Sequence, residues 1–139
     1  MKIYFACSIT GGREFESVYQ AVVYALAENG HSVLTAHLVE SDVMAAEAAL
    51  SPRDVYSRDV AWIRDCDVLI AEVSVPSHGV GYEVGFALGI DKPVLVLHHE
   101  GRKISKMLSG NLDGNLAVKT YRTTEEAIHT ALRFLSTRG

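Results

Sequence analysis

The chain has 139 residues, a formal net charge of -4 from 13 basic and 17 acidic side chains, 48% hydrophobic and 22% charged residues. That length suits one domain, 1–139, able to bury roughly two thirds of its unfolded surface. The acidic balance argues against a nucleic-acid binder, and no run approaches the ~20 apolar residues of a membrane span.

In chain order, Ile3-Tyr4-Phe5-Ala6 reads as a short buried strand, ended by Ser8 and Gly11-Gly12. Val18, Val22 and Leu26 set a helical stripe, predicting a helix from about Glu14 to Glu28, stopped by Asn29-Gly30. Ser32-Val33-Leu34-Thr35 is the second predicted strand. Val39 to Leu50 is alanine-rich without glycine or proline and predicts a loop plus a short helix. Ser51-Pro52, a cap followed by proline at the first helical position, starts a helix to about Asp65. Val68 to Val73 is continuous and apolar, as a strand covered on both faces should be.

Next comes Ser77-His78-Gly79-Val80-Gly81-Tyr82-Glu83-Val84-Gly85, read as a glycine-rich turn opening a helix that ends near Gly89. Pro93 to Leu97 is the fourth strand, Arg102 to Leu108 a short helix, Gly110 to Asn115 a loop and Leu116 to Tyr121 the fifth strand. Thr124-Glu125-Glu126 begins a last helix carrying Ile128, Leu132 and Leu135. This alternation predicts an α/β fold, a flavodoxin-like or Rossmann-like three-layer sandwich around five parallel strands ordered 2-1-3-4-5. Ligands of such sheets bind beyond the carboxyl ends of the strands where the chain reverses direction. Both glycine-bearing turns, Ser8 to Arg13 and Ser77 to Gly85, follow the strands that flank that crevice.

Two carboxylates stand out. Glu83 has only Gly79, Val80, Phe86 and Ala87 as helical neighbours, and an unpartnered carboxylate there is a costly placement unless it meets a ligand. Asp59 is flanked on its helix by Val55, Tyr56, Trp62 and Ile63. A carboxylate pair across a cleft is what glycosidic bond cleavage requires, with burial raising one pKa toward neutrality. Ser8, Gly11 and Gly12 lie between a strand and a helix start, where backbone can approach an anion. They form no Walker sequence, and Gly79, Gly81 and Gly85 lack dinucleotide-fingerprint spacing. No His-x-x-x-His spacing suggests a metal site, and no cofactor is expected. Cys7 and Cys66 form no Cys-x-x-Cys pair, so free thiols in a reducing cytosol are expected, and Cys7 reads as packed.

The segments Ile3 to Glu14, Asp59 with Trp62, Ala71-Glu72-Val73 and Pro76 to Gly85 resemble the 2'-deoxynucleoside 5'-phosphate N-hydrolases of the nucleoside 2-deoxyribosyltransferase superfamily, over nearly the whole chain. The resemblance implies hydrolysis of the N-glycosidic bond of a (deoxy)nucleoside 5'-monophosphate. Glu83 would be the nucleophile forming a glycosyl-enzyme intermediate, Asp59 would position the sugar or nucleophile and assist protonation of the base, and Tyr4 would line the sugar site. Ser8, Gly11, Gly12, Ser77 and Gly79 would surround the 5'-phosphate, with Ile9 beside them among the substrate-binding residues and His37 near the base. Ser105 would reach the phosphate from the neighbouring subunit of a cytoplasmic homodimer. Thr10 departs from the arginine of the mammalian members, which bears on substrate identity. A base-exchanging deoxyribosyltransferase and a non-catalytic nucleotide-binding domain are the rival readings.

Overall fold

The computed structural model describes residues Met1–Gly139. Its elements are β1 (Lys2–Ala6), α1 (Glu16–Glu28), β2 (Ser32–Val33), a 3-10 turn (Ala36–Val39), α2 (Val43–Ala48), α3 (Pro52–Asp65), β3 (Val68–Glu72), α4 (His78–Gly89), β4 (Val94–His99), α5 (Lys106–Ser109), β5 (Leu116–Tyr121) and α6 (Thr124–Ser136). The five strands form one sheet in the expected order β2-β1-β3-β4-β5. All pairings are parallel, with Ile3 opposite Val68, Leu69 opposite Val94 and Val94 opposite Leu116.

Alternation along the central strands builds two cores. Ile3, Phe5, Val68, Ile70, Leu95 and Leu97 pack toward α1 and α6 with Tyr19, Val22, Leu26, Ala131 and Leu135. Tyr4, Ala6, Leu69, Ala71, Val94 and Val96 pack on the other face against Ile63, Val80, Val84 and Ala87 of α3 and α4. Parallel strands buried on both faces must be apolar at consecutive positions, which is why these runs are continuous. No helix is long and apolar enough to cross a membrane.

Several boundaries differ from the sequence expectation, each for a local reason. The second strand stops at Val33, because the Thr35 side chain replaces the next ladder bonds. Its Oγ1 accepts from the Phe5 N–H at 2.9 Å and donates to the Phe5 carbonyl at 2.7 Å. β4 continues through His98 and His99, paired with Thr120 and Tyr121, where the sequence reading ended it at Leu97. β3 ends one residue early, at Glu72, and α1 begins two residues late. The short fifth helix begins only at Lys106, because the Ser105 hydroxyl accepts from the Met107 N–H and caps it there. The glycine-rich segment is itself helix: the Ser77 hydroxyl accepts from the Val80 N–H, so α4 starts at His78 with Gly79, Gly81 and Gly85 on its turns.

Glu72, the charged end of an apolar strand, is fully buried under α1 and α6. It accepts from the Tyr121 hydroxyl at 2.9 Å, the Ser74 amide at 3.2 Å and the Ser74 hydroxyl, which in turn accepts from the His99 N–H at 2.8 Å. This network joins the carboxyl ends of β3, β4 and β5. Burial raises the Glu72 pKa despite the donors around it.

Candidate functional site

The turns after β1 and β3 meet directly. A Cβ on Gly11 would fall 2.7 Å from the Pro76 carbonyl oxygen and 2.7 Å from Ser8 Oγ, so only glycine lets these loops seat on one another. Gly12 has φ +118°, a conformation that side chains disfavour. Ser8 is completely buried, and its hydroxyl has no hydrogen-bond partner. Arg13 braces this turn from behind, donating to the carbonyls of Ser8 at 3.3 Å and Leu38 at 3.2 Å. The result is a close-packed turn beside the amino end of α4, in which Ile9 and Thr10, and not Ser8, Gly11 or Gly12, line the neighbouring cleft.

That turn adjoins a cleft of about 640 Å³ bordered by α2, α3 and the start of α4. Glu83 and Asp59 both line it, as do Ile9, Ser77 and Gly79. Burial pushes the Glu83 carboxyl up to about 8, and the neighbouring Asp59 charge adds to that shift, while Tyr4 and Arg58 pull it down. Tyr4 lies beneath, wholly buried on β1, its hydroxyl approaching Glu83 without meeting hydrogen-bond geometry. Burial and the two carboxylates drive the Tyr4 pKa upward, so the phenol keeps its proton. Cys7 also borders the cleft, and burial pushes its thiol up to about 12, which suits packing and not attack.

Asp59 has a partner that the sequence reading did not assign. Arg58 Nε donates to Asp59 Oδ1 at 2.8 Å. The same guanidinium donates to Glu47 Oε1 at 2.9 Å and Oε2 at 3.1 Å, and its carbon lies 4.9 Å from the Trp62 ring centroid. Helical spacing brings together residues three and four apart, whereas Arg58 and Asp59 are adjacent in the chain, so no periodicity signals their contact. Burial raises the Asp59 pKa, with Arg58 opposing it. Glu47 was missed as well. Its signal was a single charged residue in the otherwise uncharged Val43–Leu50.

The remaining predicted residues fall in two places. His37 stands at the cleft's outer edge, exposed, with Nε2 3.6 Å from Glu47 Oε1 and its ring edge-on to Trp62 at 5.4 Å. Ser105 lies elsewhere on the same chain. It borders a second cavity of about 390 Å³ together with Ser77, His78, Gly81 and Lys103, on the far side of the α4 amino end. No group of three or more His, Cys, Asp or Glu side chains is placed to hold a metal ion.

Comparison with known proteins identifies relatives of the chain. The profile of the nucleoside 2-deoxyribosyltransferase family matches residues 3–128. The chain is 40% identical over 134 residues to a 5-hydroxymethyl-dUMP N-hydrolase of Mus musculus, covering 94% of this chain and 76% of that protein. It is 42% identical over 131 residues to the protein of that name from Esox lucius, covering 90% of each. Among solved structures, a CMP N-glycosidase of Clostridium botulinum superposes with TM-score 0.75 at 20% identity, covering 96% of this chain and 99% of that one.

Proposed function

The chain belongs to the nucleoside 2-deoxyribosyltransferase family, and from that premise we propose that it hydrolyses the N-glycosidic bond of (deoxy)nucleoside 5'-monophosphates, releasing free base and a sugar 5-phosphate. The observation that carries this reading is the carboxylate pair Glu83 and Asp59 in one cleft, which Ser77 and Gly79 at the amino end of α4 also line. Ser8, Gly11, Gly12, Ser77 and Gly79 hold the 5'-phosphate through hydroxyls and amides at the helix end. Ile9 packs beside it, and the anchored sugar presents C1' to Glu83. Such positioning is worth several kcal/mol, about 7–11 in the best intramolecular cases.

Glu83, ionised, stabilises the oxocarbenium-like transition state and then bonds to C1', while the electrons of the broken C–N bond leave with the base. Asp59, held by Arg58, orients the sugar and assists protonation of the base. Tyr4 supports Glu83 from below. Water then cleaves the glycosyl ester, returning Glu83 to its starting state. His37 flanks the base end of the cleft.

We further infer a homodimer in the cytoplasm, its Ser105 reaching a neighbouring subunit's phosphate site. Two buried free cysteines suit a reducing compartment. Gly81, Gly85 and Gly89 form a row on α4 with open space above each, and Tyr82 at 52% and Met107 at 82% exposure stand nearby. Such a surface accommodates the close approach of a second helix. The family name keeps base exchange as the rival chemistry, and the proposed phosphate site favours hydrolysis of nucleotides. The test is to follow free base from a monophosphate and from its nucleoside, with and without a second base as acceptor. Turnover confined to the monophosphate, with no exchanged product, is expected. Preference for the bare nucleoside would overturn the reading.

A further inference from the structure

With C1' fixed at Glu83 and the phosphate at the proposed Ser8–Gly11–Ser77 site, the base can occupy only the rest of the cleft. That volume is walled by Met44, Ala48, Leu50, Pro52, Val55 and Tyr56, all from α2, α3 and their connection. These side chains cover the faces of a flat ring and supply almost no hydrogen bonds to read its edge. Glu47 is the one carboxylate lining the cleft besides Asp59 and Glu83.

Its chemistry there is fixed by Arg58. Bidentate donation to Glu47 Oε1 and Oε2 uses one lone pair on each oxygen and requires a carboxylate able to accept at both. The guanidinium turns its edge to Glu47 and Asp59 and its face to Trp62, and neither Arg58 nor Trp62 borders the cleft. What the base meets at this wall is therefore an oriented group with spare acceptor capacity and no proton to give.

We propose that Glu47 selects the base, favouring one with an exocyclic amino group, cytosine or adenine, over its carbonyl counterpart, uracil or hypoxanthine. An amino group donates to the spare lone pair, whereas a carbonyl oxygen faces it lone pair to lone pair, in a site from which water has been displaced. This inference rests on the proposed nucleotide site and separates the chain from its vertebrate relatives, whose name specifies a uracil nucleotide.

The experiment measures dissociation constants by calorimetry, and base release by chromatography, for the pairs dCMP/dUMP and dAMP/dIMP. Each pair exchanges an exocyclic amino group for a carbonyl, with the adjoining ring nitrogen gaining a hydrogen. For whichever ring size binds more tightly, the amino member should be preferred by about tenfold or more. In Glu47→Gln, whose amide both donates and accepts, the ratio of dissociation constants within that pair should fall toward one. Equal affinities within both pairs in the wild-type protein overturn the proposal without need of the variant. A Glu47→Gln protein that keeps the wild-type ratio overturns it too. Amino-selective binding that releases no base would uphold Glu47's role and remove the hydrolase reading, so the two failures are distinct.

Discussion

Glu83 sits in an environment that opposes its charge, and the proposed mechanism needs that charge. With the carboxyl pushed up to about 8 by burial and by Asp59, the free enzyme at neutral pH holds Glu83 mostly protonated. If the ionised form is the nucleophile, kcat/KM should climb about tenfold per pH unit below about 8 and level off above it, as a pH–rate profile would reveal. Glu83→Gln should lose base release while retaining nucleotide binding, read by chromatography and calorimetry; near wild-type turnover would take Glu83 out of the chemistry. Stability has its own sign. A folded-state pKa above the unfolded value gives stabilisation that is complete below about 4.5 and lost as pH rises through about 8, on the order of a few kcal/mol. The melting temperature of Glu83→Gln relative to the wild type should therefore improve between pH 5 and pH 9.

Among the elements, β2 and α2 show where sequence patterns gave way to side-chain hydrogen bonding. Thr35 fulfils both backbone groups of Phe5 in a fully buried position. Thr35→Val keeps the shape and removes both bonds, so chemical denaturation should show a loss of about 2 kcal/mol or more. Apolar runs made β1, β3 and β4 legible within two residues, since burial on both faces demands such runs, and the partly exposed edge strand β5 was legible as well. The Ser51-Pro52 start of α3 was equally plain, because the Ser51 hydroxyl does accept from the Asp54 N–H at 3.1 Å. Helix α2 was legible only as a short helix of unspecified limits. Its Glu47 is tied to Arg58 eleven residues onward, a relation no periodicity encodes. Likewise Glu83 was readable from its lack of helical partners, whereas Asp59's link to Arg58 required the fold.

For the whole molecule, strand order alone located the crevice, since the turns after β1 and β3 flank the one place where the chain reverses. The row of Gly81, Gly85 and Gly89 belongs to this scale, because each costs α4 about 1 kcal/mol of helix propensity and no contact within the chain requires it. Gly85→Leu should fold normally as a single chain, yet sediment as a monomer and lose monophosphate turnover with it. A dimer of unchanged affinity would place the subunit contact elsewhere. The buried Ser8 hydroxyl, meanwhile, has no hydrogen-bond partner in the turn after β1. Under the proposed function, a ligand bearing an anionic tail would relieve that shortage on arrival, and one without it would not. On that proposal, recognition would be sequential in energy: the far end of the substrate is vetted against a close-packed scaffold, and only a candidate so tethered has its ring interrogated.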